Sequence, residues 1–202
     1  ARDLLKSDLT ESEGHNVELV DQVVSLNHRL QALFDSALEV AIIATDPVGN
    51  IVVFNLGAEK MLGYRADEVI GKSPALFHVQ SEVLHRGQEL ERQFGHPVDG
   101  FEIFAANPRK GESEIRNWTY IRKDGGRLQV SLVVSAVFGN SGVVNGFLGI
   151  ARDITKEVAA QQNLESLNRE LDERVQLRTQ ALQESTSRLE ETMKHLQQTQ
   201  KS

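Results

Sequence analysis

The chain has 202 residues and a mass of 22.5 kDa, room for one ordinary domain with extensions or for two very small ones. It is 40% apolar and 25% charged, with a net charge of −7 and a pI near 5.4, which excludes a disordered or collagen-like chain and argues against a nucleic-acid binder with its basic stripe. There is no cysteine, so disulfides, thiol nucleophiles and a cysteinyl photoadduct are excluded as well. No apolar run approaches the roughly 18 residues of a transmembrane helix. The chain opens at Ala1 with neither initiator Met nor signal-peptide pattern. It is therefore expected to be a piece of a longer cytoplasmic protein, one that has room for an inner-membrane anchor upstream.

Composition divides the chain. All eleven aromatics lie between Phe34 and Phe147, all four prolines between Pro47 and Pro108, and fourteen of the fifteen glycines between Gly49 and Gly149. Turns and a varied core need these residues, so a globular domain is expected over 36–155, between arms at 1–35 and 156–202. Both arms lack proline and read as helix. In the first arm Leu19, Val23, Leu26, Leu30 and Leu33 step by 4, 3, 4 and 3, a heptad seam with Asn16 placed to cap its first turn. So short a helix gains most of its stability from packing. The seam is expected to pair in a parallel homodimer or to fold onto its own domain.

The core turns to period two. Residues 40–45 and 51–55 read as strands joined by Asp46-Pro-Val-Gly-Asn50, which is hairpin chemistry. Short helices are predicted over 58–62, 66–70, 81–94 and 100–106, and strands over 117–122, 127–138 and 143–152. In the middle return strand Leu128, Val130, Leu132, Val134 and Ala136 share one face, against Gln129, Ser131 and Ser135. Two strands, a block of helices and three strands make an α+β plan, with helices gathered on one face of a five-stranded antiparallel sheet.

The second arm, as one helix, spans ~65 Å, more than a single domain can cover. Its apolar positions include Leu164, Leu167, Leu171, Val175 and Leu182. The two consecutive spacings of four from Leu167 to Val175 make a stutter in the heptad. Arg178 and Ser185 then stand where apolar residues are wanted. This is a helix built to pair, but not rigidly.

Several segments in order carry a family resemblance. Thr45-Asp-Pro-Val-Gly-Asn-Ile-Val-Val-Phe-Asn55, Ala58-Glu59 and Leu62-Gly-Tyr64, with Asp67-Glu-Val-Ile-Gly71, resemble the opening of a PAS sensor domain. Trp118-Thr-Tyr-Ile-Arg-Lys-Asp-Gly125 resembles that family's first return strand and turn, and Gly146-Phe-Leu-Gly-Ile-Ala-Arg-Asp-Ile-Thr155 its last strand and ending. Leu171-Asp-Glu-Arg-Val-Gln-Leu-Arg-Thr-Gln-Ala-Leu182 is similar to the helix that often precedes the phosphoacceptor helices of sensor histidine kinases. His195 is followed by Leu-Gln-Gln rather than an acidic residue and reads as a solvated helix residue. The resemblance implies a dimeric bacterial sensory module that relays a signal to an effector of the same chain. A histidine kinase of a two-component system is the leading effector and a diguanylate cyclase the alternative.

No nucleophile–base pair or phosphate-cradling glycine loop is present, and no catalytic or metal-binding residue is assigned. The resemblance implies a pocket between sheet and helices, where family members bind haem, flavins or small organic acids. Candidate lining residues are Asn55, Phe101, Phe104, Trp118, Tyr120, Leu132, Val134 and Phe147. The competing possibility is that they fill a solid core, leaving a dimerisation spacer. Of the core histidines His78, His85 and His96, only His85 is weighed as a haem ligand, because the 100–106 helix has none. No cofactor is expected beyond an unidentified small molecule, with haem and non-covalent FAD as rivals. Asp153, Ile154 and Thr155 are expected to join sheet to outgoing helix and relay the signal, Asp153 as its cap.

Overall fold

The computed structural model describes residues 20–199, with side chains to Met193. Leu19 and Asn16 lie outside the described residues. The chain divides into two compact units, one up to Thr155 and one from Lys156.

In the first unit, helix α1 (20–36) leads to strands β1 (Val40–Thr45) and β2 (Ile51–Phe54). Helices α2 (Leu56–Leu62), α3 (Ala66–Val69), α4 (Gln80–Phe94) and α5 (Glu102–Ala105) follow, with 3₁₀ turns at Pro74–Phe77 and Pro108–Lys110. Strands β3 (Glu114–Ile121), β4 (Arg127–Phe138) and β5 (Val144–Asp153) complete an antiparallel sheet of order β2-β1-β5-β4-β3. The expected α+β architecture is the one observed. β1 pairs with β5 from Val40↔Arg152 to Thr45↔Phe147, so the chain enters β1 beside the point where it leaves β5. The second unit is one helix, α6 (Thr155–Thr199), whose first residue closes the first unit.

The β1–β2 turn is organised by Asp46. Its Oδ1 accepts from the Val48 and Asn50 amides at 3.0 and 2.8 Å, and its Oδ2 accepts from Asn50 Nδ2 at 2.8 Å. Gly49 takes φ +98° and packs under Phe101, whose ring would lie 2.3 Å from any Cβ there. Only glycine satisfies both constraints.

One face of the sheet carries the core: Ala41, Ile43, Val130, Leu132, Val134, Phe147 and Ala151 are buried against Phe54, Leu62, Phe77, Phe104, Trp118 and Tyr120. Of the face expected in β4, Val130, Leu132 and Val134 are buried and Leu128 and Ala136 are partly buried against the same core. β3 begins three residues before the expected Asn117. Its charged start looks like loop in sequence, but these are edge-strand charges tied to α4. Arg86 Nη2 donates to Glu114 at 2.7 Å and Arg116 Nη1 to Glu89 at 2.8 Å. Arg116 and Arg86 together hold the Glu89 carboxyl down at about 2.

Candidate functional site

Strands β1, β4 and β5 form the floor of a cavity of about 40 Å³. Ala41, Ile43 and Thr45 come from β1, Leu132 and Val134 from β4, and Phe147, Gly149 and Ala151 from β5. Phe101, Phe104 and Tyr120 close it with Pro74 and His78. None of these residues is charged.

The polar groups decide its chemistry. His78 ends the 3₁₀ turn that Pro74 begins, which brings its Nδ1 within 3.0 Å of the Pro74 carbonyl. A carbonyl only accepts, so Nδ1 carries the proton and Nε2 is left as an acceptor. Phe104, Trp118 and Tyr120 surround the imidazole at centroid distances of 4.5, 5.0 and 4.7 Å. Burial in this aromatic box pushes the His78 pKa down to about 4, against the smaller opposing effects of the Pro74 carbonyl and Glu82. Burial likewise pushes the Tyr120 phenol up. His78 Nε2 and Thr45 Oγ1 are both buried and find no partner in the protein. Each such unpaired group costs about 1–3 kcal/mol, so a dry, empty cavity is a poor resting state.

Of the candidate lining residues, Phe101, Phe104, Tyr120, Leu132, Val134 and Phe147 lie on the cavity. The structure places Asn55 elsewhere. Asn55 is fully buried as the cap of α2, with Oδ1 accepting from the Ala58 and Ile42 amides at 2.8 Å each. Its Nδ2 donates to the carbonyls of Phe34, Ala37 and Val40 at 3.0–3.3 Å. Those bonds use both ends of the amide and leave nothing for a ligand. Trp118 is also away from this cavity; with Phe104, Leu132 and Val134 it borders a separate void of about 10 Å³. Thr45 and His78 were not among the candidate lining residues. The available signal was the Pro74–His78 spacing of four, which turns a lone histidine back onto the proline carbonyl.

As it stands, the cavity has room for neither haem nor flavin. His85, the weighed haem ligand, has a side chain 63% exposed on α4, with Nε2 3.3 Å from Glu89, and is not part of the cavity. A space of 40 Å³ is of the order of one or two water molecules, against ~150 Å³ for a cavity that holds benzene. A flavin ring also presents several donors and acceptors at its edge, whereas this wall offers only three polar side chains, Thr45, His78 and Tyr120. Among the described residues no three His, Cys, Asp or Glu side chains converge as a metal site, and no helix is long and apolar enough to cross a membrane.

Two residues beyond Ala151, the last strand meets its outgoing joint. Asp153 Oδ1 accepts from the Thr155 amide at 2.8 Å and from Thr155 Oγ1 at 2.6 Å. Thr155 Oγ1 in turn accepts from the Gln129 amide at 3.0 Å, and the buried Ile154 donates its amide to the Gln129 carbonyl at 2.8 Å. Gln129 Nε2 reaches Thr119 Oγ1 at 3.0 Å. The joint is thus braced on β4 and β3 as well as β5.

Residues 39–156 match the PAS domain family. The chain belongs to the PAS domain family. It is 28% identical over 152 residues to the two-component system protein A of Emericella nidulans, covering 75% of this chain and 20% of that protein. It is 26% identical over 166 residues to the bacterioopsin transcriptional activator of Halobacterium salinarum, covering 81% of this chain and 23% of that protein. The chain thus spans about a fifth of the length of these curated relatives. The crystal structure of the PAS domain of a protein from Colwellia psychrerythraea superposes with a TM-score of 0.51 at 28% identity, covering 65% of this chain and 98% of that one. The sheet, helical layer and cavity described above are therefore those of a PAS sensory domain, whose matched segment ends one residue past the Asp153–Thr155 joint.

Proposed function

We propose that this PAS domain works as a homodimeric relay in which an event at the cavity is passed through Asp153, Ile154 and Thr155 to α6 and on to an effector of the same protein. The leading effector is a histidine kinase in two-component signalling. The observation that carries the relay is continuity: cavity residues Gly149 and Ala151 lie on the strand that ends at the joint, and Leu132 and Val134 lie on the strand that braces it. The relative named for a two-component system supports the kinase; the one named for transcriptional activation supports an effector of another kind. A cytoplasmic setting fits either.

Unpartnered apolar surface supports the homodimer. Val23, Leu26, Leu30 and Leu33 on α1 are exposed in the single chain, as are Leu164, Leu167, Leu171, Val175 and Leu182 on α6. On the outer face of the sheet, Ile150, Val133 and Ile115 form a row across three strands beside the buried Ile42, with Ile115 71% exposed. Helices with such stripes gain their stability from a partner. Leu26→Glu, which places a charge in each copy's seam, is expected to shift sedimentation toward monomer and raise the dimer dissociation constant at least tenfold. An unchanged, concentration-independent dimer would remove α1 from the interface.

The relay is tested by helical phase. One residue inserted near Arg174 rotates everything downstream by about 100°, whereas seven nearly restore it. In the full-length protein, effector output is expected to be lost or inverted by the single insertion and recovered by seven. The small cavity favours a second reading, a dimerisation spacer without a signal of its own; equal output from both insertions, with dimerisation intact, would establish that one.

A further inference from the structure

We propose that the cavity is a site for a small uncharged molecule that carries an O–H or N–H donor on an apolar body, with its donor head on His78 Nε2. The proposal rests on reading the chain as a sensory module and names the chemistry of what it senses. The Pro74 carbonyl fixes the imidazole proton on Nδ1, so Nε2 can only accept, and a ligand that meets it must donate. Thr45 Oγ1, the second unpartnered atom among the lining residues, can donate to or accept from the head group. Elsewhere the wall is largely aliphatic and aromatic, with Ile43, Leu132, Val134 and Phe147 facing an apolar stub. No lining residue is charged, so a carboxylate or ammonium would be stranded without a counter-charge. Organic acids are therefore the wrong class for this chain.

Size sets the lower end of the series. At about 40 Å³ the cavity takes a molecule such as methanol without rearrangement. Phe101 sets the upper end: it is half-buried, lines the cavity, and precedes the four-residue α5, with its ring resting on Gly49. Removing that ring opens space for longer members of the series.

The test uses the whole 202-residue chain, ¹⁵N-labelled, and reads the imidazole nitrogens of His78. Methanol is expected to move the Nε2 signal saturably. Acetonitrile, which only accepts, and acetate, which is charged, should leave it in place. Thr45→Val should weaken methanol about fivefold, the effect of one neutral hydrogen bond. Phe101→Ala should turn the preference toward 1-propanol by tenfold or more. A His78 signal deaf to methanol, an equal response to acetonitrile or acetate, or a water cross-peak at His78 that methanol never displaces would each overturn the assignment. These failures are separable from failure of the relay: a silent His78 with phase-dependent effector output removes the ligand class alone, whereas a methanol-responsive His78 with phase-indifferent output removes the relay alone.

Discussion

Asn55→Ala is expected to destabilise the domain by about 3–5 kcal/mol, from a lost helix cap together with buried backbone groups left unpaired. The side chain is fully buried and joins three elements: it caps α2, holds the Ile42 amide of β1, and takes carbonyls from the end of α1 and the link that follows. A loss of that size is a large part of the roughly 5–15 kcal/mol that holds an ordinary domain together. Asn55→Asp separates the contributions. Aspartate is as good a cap as asparagine, so if capping were the whole effect it would restore stability. Because Nδ2 donates to the carbonyls of Phe34, Ala37 and Val40, an oxygen there faces three acceptors instead. The aspartate variant should thus unfold at a urea concentration no higher than the alanine variant. A near-native midpoint for Asn55→Asp would reduce the residue to a cap.

The second large effect is a pH dependence centred on His78. Its folded pKa is held near 4 by burial, below the ~6.5 of an exposed histidine. Between those values the unfolded chain binds a proton that the folded protein refuses, so stability falls as pH is lowered through this window and the loss levels off below about pH 4. At ~1.4 kcal/mol per pK unit the loss is about 3 kcal/mol. Glu89 acts in a lower window. Its folded pKa of about 2 makes its contribution complete above the ordinary glutamate value and lost as pH falls toward 2. Urea unfolding of the native protein and His78→Phe at pH 7.5 and 4.5 reads the first window. The variant should lose about 2.5 kcal/mol less than the native protein between the two, since pH 4.5 lies above the folded pKa; parallel losses would mean that His78 is free to protonate in the folded state.

The order of strands and helices was legible because backbone period and turn chemistry are local. The alternation of Leu128 to Ala136 against Gln129 to Ser135 places β4 correctly, and Asp46 to Asn50 marks the first hairpin. What was not legible depends on residues far apart. Asn55 reads the same whether its amide meets a ligand or backbone 13 to 21 residues away, and only the fold shows the second. The start of β3 was hidden because Glu114 and Arg116 are charged, and their partners Arg86 and Glu89 lie on α4. Part of the cavity wall was readable: Leu132 and Val134 from apolar alternation, and Phe101, Phe104, Tyr120 and Phe147 as aromatics placed to close it. His78 and Thr45, the groups that give the wall its polarity, were not, because nothing in their neighbours states that Nε2 and Oγ1 end up unpaired.

The pairing of Val40 with Arg152 has a consequence for how such a domain can be handled as a part. Facing residues in an antiparallel pair have Cα atoms only about 4.5–5.5 Å apart, so the strand that follows α1 begins beside the end of the strand that precedes α6. A domain whose two ports adjoin can be spliced into a loop or stalk of a host protein without prising the host's ends apart. Strung in tandem, or deleted outright, copies of this unit would change what a protein senses while leaving the flanking segments within reach of each other.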